Sequence, residues 1–155
     1  MIAKFCLSAA ELDRMLAAAS AKAAELGLAA SIAIVDDGGY PFRLHRGDGA
    51  GLMTPAVAQA KARTAALLRA PSGVLTARLK DQPELLRLTE YLPMPGGLPV
   101  RFENSVVGAV GVSGGSPDQD EAIARPPWTH WDEMTGRGGE ISASPRRPTR
   151  SSPRR

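Results

Sequence analysis

The sequence predicts a single α+β domain with a central antiparallel sheet, built from two β-hairpins and flanked by helices. Two runs of small and β-branched residues, Ile32–Gly39 and Val106–Gly115, end abruptly in glycines. Buried strands that reach tight turns have this pattern. Alanine-rich segments of high helix propensity lie around and between the two runs. The length of 155 residues suits one domain with its own core.

The first helix is predicted over Ala9–Leu26. Ser8 precedes it and Glu11 follows three residues later, which is the spacing of a capping box. Gly27 is a favourable residue just beyond a helix end, because glycine adopts the left-handed conformation without strain. The segment is therefore expected to be a well-capped amphipathic helix.

The first hairpin pairs Ser31–Val35 with Tyr40–Arg46 around a glycine-containing turn. Side chains alternate between the two faces of a strand. Arg43 and His45 therefore share one face of the second strand, and we expect His45 to be solvated there. A lone histidine on a polar strand face is usually not a ligand.

The second helix is predicted from Thr54, as its N-cap, to about Leu68, with a proline in the favoured first position. Two short helical pieces are expected to follow, over Ser72–Lys80 and Pro83–Thr89. Tyr91–Gly97 contains prolines and glycines at every turn and is predicted to be irregular.

The second hairpin pairs Leu98–Glu103 with Val106–Val112. Ser116 then caps the last helix, with Gln119 at the capping-box position. That helix is expected to end at Pro126, since two consecutive prolines cannot continue it.

A change of composition divides the chain at residue 126. Residues 1–125 carry 13 Lys and Arg against 13 Asp and Glu, so the whole net charge of +3 lies in residues 126–155. This tail is rich in Pro, Gly and Arg and almost lacks aliphatic side chains, so it cannot offset its ordering entropy by burial. We predict a domain over 1–125 and a disordered tail over 126–155, of which Gly136–Arg155 is dispensable for folding.

Several classes of protein are disfavoured. The predicted domain is electrically neutral, which argues against a nucleic-acid partner. No apolar stretch is long enough to span a membrane, and no signal-peptide pattern is present, so we expect a cytoplasmic protein. Cys6 is the only cysteine, and the two histidines do not form a metal-binding cluster. Whether the protein binds a metal, and through which residues, is therefore unknown from the sequence.

The second helix contains the most unusual polar residues. Lys61 and Thr64 fall on the same stripe as Val57 and Leu68, at helical spacing. A lysine in an apolar stripe suggests a cavity for an anionic or carbonyl ligand, and Lys61→Met should then spare the fold. The alternative is that Lys61 extends to solvent and Thr64 bonds its own helix backbone.

Three other places offer polar groups. Arg46 and Asp48 follow the first hairpin and either orient a ligand or pair with one another. Ser113 begins a loop of free amides before the last helix, although carboxylates in the first turn of that helix already satisfy its dipole. Gly96 and Gly97 are predicted to need positive φ angles.

Five stretches, read together, resemble the GlcG/HbpS family of haem-binding-like proteins and the C-terminal domain of PduO-type proteins. In order along residues 8–125 they are SIAIVDDGGYPF, HRGDGA, AQAKARTAA, PGGLPV and VVGAVGVSGGSPDQDEAIA. The resemblance implies a profilin-like fold, homo-oligomers and, in some members, haem binding linked to redox sensing or to small-molecule catabolic operons. Some haem-binding relatives use a histidine in the first helix, and this chain has none there.

The resemblance also implies which positions line a pocket. The matching residues that we expect to bind a ligand are Arg46, Asp48, Lys61, Thr64, Gly96, Gly97 and Ser113. The expected function is a non-catalytic small-ligand or haem-binding protein. The alternatives are an isomerase or lyase that acts on a small carboxylate held by Arg46 and Lys61, or a structural partner protein.

Overall fold

The helices and strands follow the predicted order. A computed structural model describes residues 4–87 and 90–125 of the chain, and the predicted tail lies outside the described residues. In chain order the elements are α1 (Ala9–Glu25), β1 (Ser31–Asp36), β2 (Pro41–Arg46), α2 (Thr54–Leu68), α3 (Gly73–Arg78), a 3-10 helix (Pro83–Arg87), β3 (Gly97–Phe102), β4 (Ser105–Ser113) and α4 (Pro117–Ala124).

The four strands form one antiparallel sheet in the order β2-β1-β4-β3. Each predicted hairpin is present, and the two hairpins join where β1 pairs with β4. In this register Ile32 of β1 lies between His45 of β2 and Val112 of β4. The α+β prediction with a sheet of two hairpins is confirmed. Within the described ranges, no helix is both long and apolar enough to cross a membrane.

Each face of the sheet has its own hydrophobic cluster. The larger cluster packs between the sheet and the helices α1 and α4, and it includes Met15, Ile32 and Ile123. The smaller cluster packs between the sheet and α2 and consists mostly of alanines, among them Ala33, Ala58, Ala62, Ala65 and Ala109. The second helix therefore approaches the strands through short side chains.

Two glycines allow this close approach of α2. A Cβ atom added to Gly111 would lie 2.1 Å from the carbonyl oxygen of Ala58, and one added to Gly97 would lie 2.2 Å from that of Lys61. Real Cβ atoms do not come this close to a backbone oxygen. The predicted positive φ is present at Gly96, where φ is 112°, but not at Gly97. Gly97 is constrained by packing and belongs to β3, not to the irregular segment.

The predicted capping boxes of α1 and α4 are both formed, with Ser8 and Ser116 as N-caps. The predicted N-cap of α2 is wrong. Met53 already has helical backbone angles and caps the helix, so Thr54 becomes its first residue. The Thr54 hydroxyl instead donates to the Gly51 carbonyl and forms a hydrogen bond with the Ser31 hydroxyl, at 2.8 Å each.

The segment between α2 and β3 contains two short helical pieces, as predicted, and the first of them, α3, is shorter than expected. Leu75 is the buried residue of α3, and the 3-10 helix buries none. Leu88 and Thr89 lie outside the described residues, so the predicted end of the second piece at Thr89 is not described.

Candidate functional site

Lys61 lies on the inner face of α2, and its ammonium group is bound by the protein itself. Nζ donates to Oδ2 of Asp120 at 2.7 Å and to the carbonyl oxygen of Val112 at 3.0 Å. The two charged side chains are 2% and 3% exposed. The alternative that Lys61 extends to solvent is therefore wrong. Its ammonium group donates hydrogen bonds to a carboxylate and to the backbone carbonyl of a strand.

Asp120 reaches this position from the first turn of α4. Its second oxygen, Oδ1, accepts a hydrogen bond from the Gly115 amide at 2.8 Å. The same carboxylate thus closes the turn before α4 and neutralises the buried lysine. Gly96 covers the pair, since a Cβ there would lie 3.0 Å from Nζ of Lys61 and 2.9 Å from Cβ of Asp120. This arrangement ties α2, β4 and α4 together.

Thr64 also bonds to protein groups on both sides. Its hydroxyl donates to the Ala60 carbonyl one turn earlier and accepts from the Leu92 amide, both at 2.8 Å. The alternative that Thr64 bonds its own helix backbone is confirmed. A parallel arrangement involves Ser72, whose hydroxyl donates to the Met94 carbonyl and accepts from the Gly97 amide. These two hydroxyls anchor the irregular segment before β3.

Arg46 and Ser113 lie on either side of Ser31, because β2 and β4 both pair with β1 at that residue. The guanidinium of Arg46 donates to the Ala50 carbonyl at 3.1 and 2.7 Å. Within the described ranges, no ion pair joins Arg46 to Asp48, so the alternative of a mutual pair is wrong.

The predicted site residues thus fall into two groups. Lys61, Thr64, Gly96 and Gly97 form a buried group under α2, whereas Arg46 and Asp48 are exposed at the far end of β2. Ser113 lies between them and is 8% exposed. The structure therefore does not gather all seven residues around one opening.

A crevice between α1 and β2 brings His45 beside small and apolar side chains, a grouping that the sequence did not predict. We call it the α1–β2 crevice. Its volume is about 120 Å³, and His45, Gly47 and Asp48 form its rim. The other lining residues are small or apolar: Ser20, Ala23 and Ala24 from α1, Leu28, Ala29 and Ala30 from the connection, and Ile32 from β1.

His45 points to this crevice because of the sheet register. It lies opposite Ile32, whose side chain is in the cluster beneath α1, and cross-strand partners share a face. His45 is exposed, as expected for a solvated histidine, and it also lines the crevice beneath α1. Neither ring nitrogen of the exposed imidazole has a hydrogen-bond partner among the residues described. A neutral imidazole with a free nitrogen can bind a metal.

A second, shallower groove lies between α1 and α4. Its volume is about 510 Å³, and its lining is mostly charged, with Lys22, Asp118, Glu121 and Arg125 beside Ala122. Among its lining residues, Ala122 is the apolar one, and carboxylates are the side chains that could bind a metal. Across residues 4–87 and 90–125, no three histidine, cysteine or acidic side chains gather to hold a metal ion.

Comparison with known proteins identifies relatives over most of the chain. A family model described as "Haem degrading protein HbpS-like" matches residues 7–126. An uncharacterized 15.0 kDa protein from the dhaT-dhaS intergenic region of Citrobacter freundii is 36% identical over 128 residues, covering 79% of this chain and 89% of the relative. Protein GlcG of Escherichia coli K12 is 32% identical over 114 residues, covering 73% and 85%.

Solved structures of similar fold include two proteins whose names refer to this family or to haem. HbpS of Streptomyces reticuli, solved as a double mutant, has a TM-score of 0.76 and 34% identity, covering 80% of this chain and 86% of that one. A complex of PduOC with haem has a TM-score of 0.73 and 26% identity, covering 77% and 91%.

Proposed function

The chain belongs to the HbpS-like family, and we propose that it is a haem-binding protein in which a ring nitrogen of His45 would hold the iron. The observation that carries this proposal is the unpartnered imidazole of His45 at the rim of an apolar crevice. Histidine is the usual proximal ligand of haem iron in several classes of haem protein. The similarity to a structure named as a haem complex supports the same group.

The residues of the α1–β2 crevice fit haem in their chemistry. His45 offers a nitrogen ligand, and the alanine-rich wall of α1 together with Ile32 offers apolar contact. The volume of about 120 Å³ is well below the roughly 300–1,000 Å³ of sites that enclose a whole small molecule. The crevice is therefore too small to enclose the whole macrocycle, and its residues would contact only part of a bound haem.

Each side of the crevice has a separate part in binding. Bound haem supplies an iron centre for redox or ligand chemistry, and the protein holds it. His45 would hold the iron from β2, while α1 would provide the apolar wall opposite. The histidine that α1 lacks is thus replaced by one that faces α1 from the neighbouring strand. Ala23 and Ala30 contribute small apolar side chains to this lining.

The proposal also covers the wider role. We expect a non-catalytic protein that works as a homo-oligomer in the cytoplasm and serves redox sensing or a small-molecule catabolic operon. The alternative enzyme would hold a small carboxylate with Arg46 and Lys61. It is less well supported, because the guanidinium of Arg46 binds the Ala50 carbonyl and the ammonium of Lys61 binds Asp120.

Titration with haemin tests the proposal, and the chain supplies a matched control. The purified protein should shift the Soret band of haemin and saturate at one haem per chain. His45→Ala should abolish that shift, or weaken binding at least tenfold. His130→Ala, which removes the other histidine, should bind like the original protein. Equal binding by the His45→Ala variant would remove His45 from the site, and the absence of a Soret shift in the original protein would refute haem binding.

A further inference from the structure

We infer that residues 126–135, the first part of the tail, dock on their own domain, with Trp128 and Trp131 against the rings of Phe5 and Phe102. We call these two phenylalanines the aromatic corner. The inference does not depend on haem binding. It assigns the first part of the tail a partner within the same chain, and it limits the predicted disorder to the residues that follow.

The aromatic corner lies at the end of β3. The rings of Phe5 and Phe102 meet edge to face, with their centroids 4.8 Å apart. Phe102 is the last residue of β3 and is partly buried against the larger cluster, whereas Phe5 is 38% exposed. Further aromatic rings add favourably to such a pair, because the edge and the face of a ring carry opposite partial charges. The corner therefore offers an aromatic surface to a partner.

The last helix directs the chain towards this corner. α4 begins beside the start of β3, since a Cβ atom on Gly96 would lie 2.9 Å from Cβ of Asp120. Ile123 and Ala124, in the last turn of α4, are fully buried in the larger cluster, so the helix runs back over the sheet. The eight residues of α4 cover about 12 Å, whereas the six residues of β3 cover about 20 Å. α4 thus ends short of the end of β3.

The chain beyond α4 is long enough to reach the corner. Trp128 follows Arg125, the last residue described at this end, by three positions, and Trp131 follows it by six. An extended chain spans at most about 3.3–3.6 Å per residue, which gives roughly 10 Å to Trp128 and roughly 20 Å to Trp131. The difference of roughly 8 Å between the lengths of β3 and α4 lies within this reach.

The sequence of the segment suits this docking. Pro126 and Pro127 stop the helix and favour a polyproline conformation, which has three residues per turn. Trp128 and Trp131 are three residues apart, so both indoles face the same side of such a segment. They are the only tryptophans of the chain, whereas the tail after residue 135 has one large aliphatic side chain, Ile141. The apolar surface of the tail is therefore concentrated where it can reach the corner.

A fluorescent label on Cys6 tests the contact. Cys6 is the only cysteine, is exposed and adjoins Phe5 in the chain. Bimane attached to this thiol is quenched by tryptophan at close range. Before haemin is added, we expect its fluorescence in the original protein to be about twofold lower than in a double variant with Trp128→Phe and Trp131→Phe. The phenylalanines keep an aromatic ring at each position but do not quench. Equal fluorescence of the two labelled proteins would overturn the inference.

Variants of the corner and of a distant surface provide matched controls. Phe5→Ala removes one ring from a partly exposed position, so tryptophan emission should move to longer wavelength and the quenching of bimane should decrease. Leu52→Ala changes a side chain that is 87% exposed just before α2, the helix on the other face of the sheet, and should alter neither signal. Equal signals from these two variants would show that the corner is not the docking site.

Mixing separates docking within one chain from docking on a second copy. The labelled double variant contains no tryptophan, so it is quenched only if another molecule supplies one. When it is mixed with unlabelled original protein, its fluorescence should stay unchanged. Quenching in the mixture would place the tail segment on a second copy of the chain and overturn the contact within one chain.

Discussion

The Nζ atom of Lys61 lies 2.7 Å from Oδ2 of Asp120, and both side chains are almost fully buried. The two residues are 59 positions apart in the chain. Their contact joins the middle of α2 to the first turn of α4, across the end of β4. A buried charge without its partner is strongly destabilising, so each of these residues depends on the other.

The first prediction concerns that dependence. Lys61→Met was expected from the sequence to spare the fold, if the lysine lined a ligand pocket. The structure reverses this expectation, because the variant leaves the Asp120 carboxylate buried and uncompensated. We expect the free energy of unfolding to fall by about 3–5 kcal/mol, measured by urea denaturation.

Two further variants isolate the effect of the buried charge. Lys22 also lies 2.7 Å from a carboxylate, that of Glu25, but this pair is on the surface. Lys22→Met should therefore change stability by no more than about 1 kcal/mol. Adding Asp120→Asn to Lys61→Met should recover part of the loss, because the amide can still accept from Gly115. If Lys61→Met and Lys22→Met have equal effects, the buried pair is not important for stability.

The second prediction concerns the close approach of α2 to the sheet. Gly111→Ala would place a methyl group 2.1 Å from the Ala58 carbonyl oxygen, so α2 must move away from β4. Overpacking costs about 1–3 kcal/mol and occasionally more, and we expect Gly111→Ala at the upper end because the obstacle is backbone. Gly27→Ala is the control, since its φ is +64° but nothing lies within 4 Å of the new Cβ. It should cost only about 1–2 kcal/mol. Similar denaturation midpoints for the two variants would argue against steric control by Gly111.

The third prediction concerns Thr64 and the segment before β3. Thr64→Val removes the acceptor of the Leu92 amide, and an unsatisfied buried donor costs about 1–3 kcal/mol. Amide hydrogen exchange at Leu92 should become faster, with a smaller change elsewhere in the sheet. Thr64→Ser keeps the hydroxyl and should retain the protection. Unchanged exchange at Leu92 in the valine variant would show that the hydrogen bond does not hold this segment.

The fourth prediction concerns the tail. Residues 136–155 were expected to be dispensable for folding because they offer little apolar surface. A chain that ends at residue 135 should keep the melting temperature of the full-length protein to within a few degrees. Limited proteolysis of the full-length chain should give the same product, a resistant fragment that ends between residues 125 and 135. A full-length chain that resists proteolysis would contradict the prediction.

Much of the fold could be predicted because its signals are local. Ser8 with Glu11, and Ser116 with Gln119, form capping boxes over three residues, and glycine turns end the strands within a few positions. These features depend on neighbours in the chain, so sequence is enough to find them. The prediction of Thr54 as the N-cap of α2 was wrong. The Thr54 hydroxyl, which was expected to cap the helix, bonds instead to Ser31, 23 residues away in the chain.

The sequence by itself determined the order of the elements, the two hairpins and the small-residue face of α2. Only the tertiary structure decided the environment of the polar side chains. Lys61 was visible as a charge on an apolar stripe, but its partner Asp120 is brought to it by the packing of α4 against β4. His45 was visible as an alternating strand residue, and only the register with Ile32 directs it to the crevice beneath α1. The physical reason is that secondary structure follows from short-range backbone and side-chain preferences, whereas the environment of a polar group depends on distant segments packed around it.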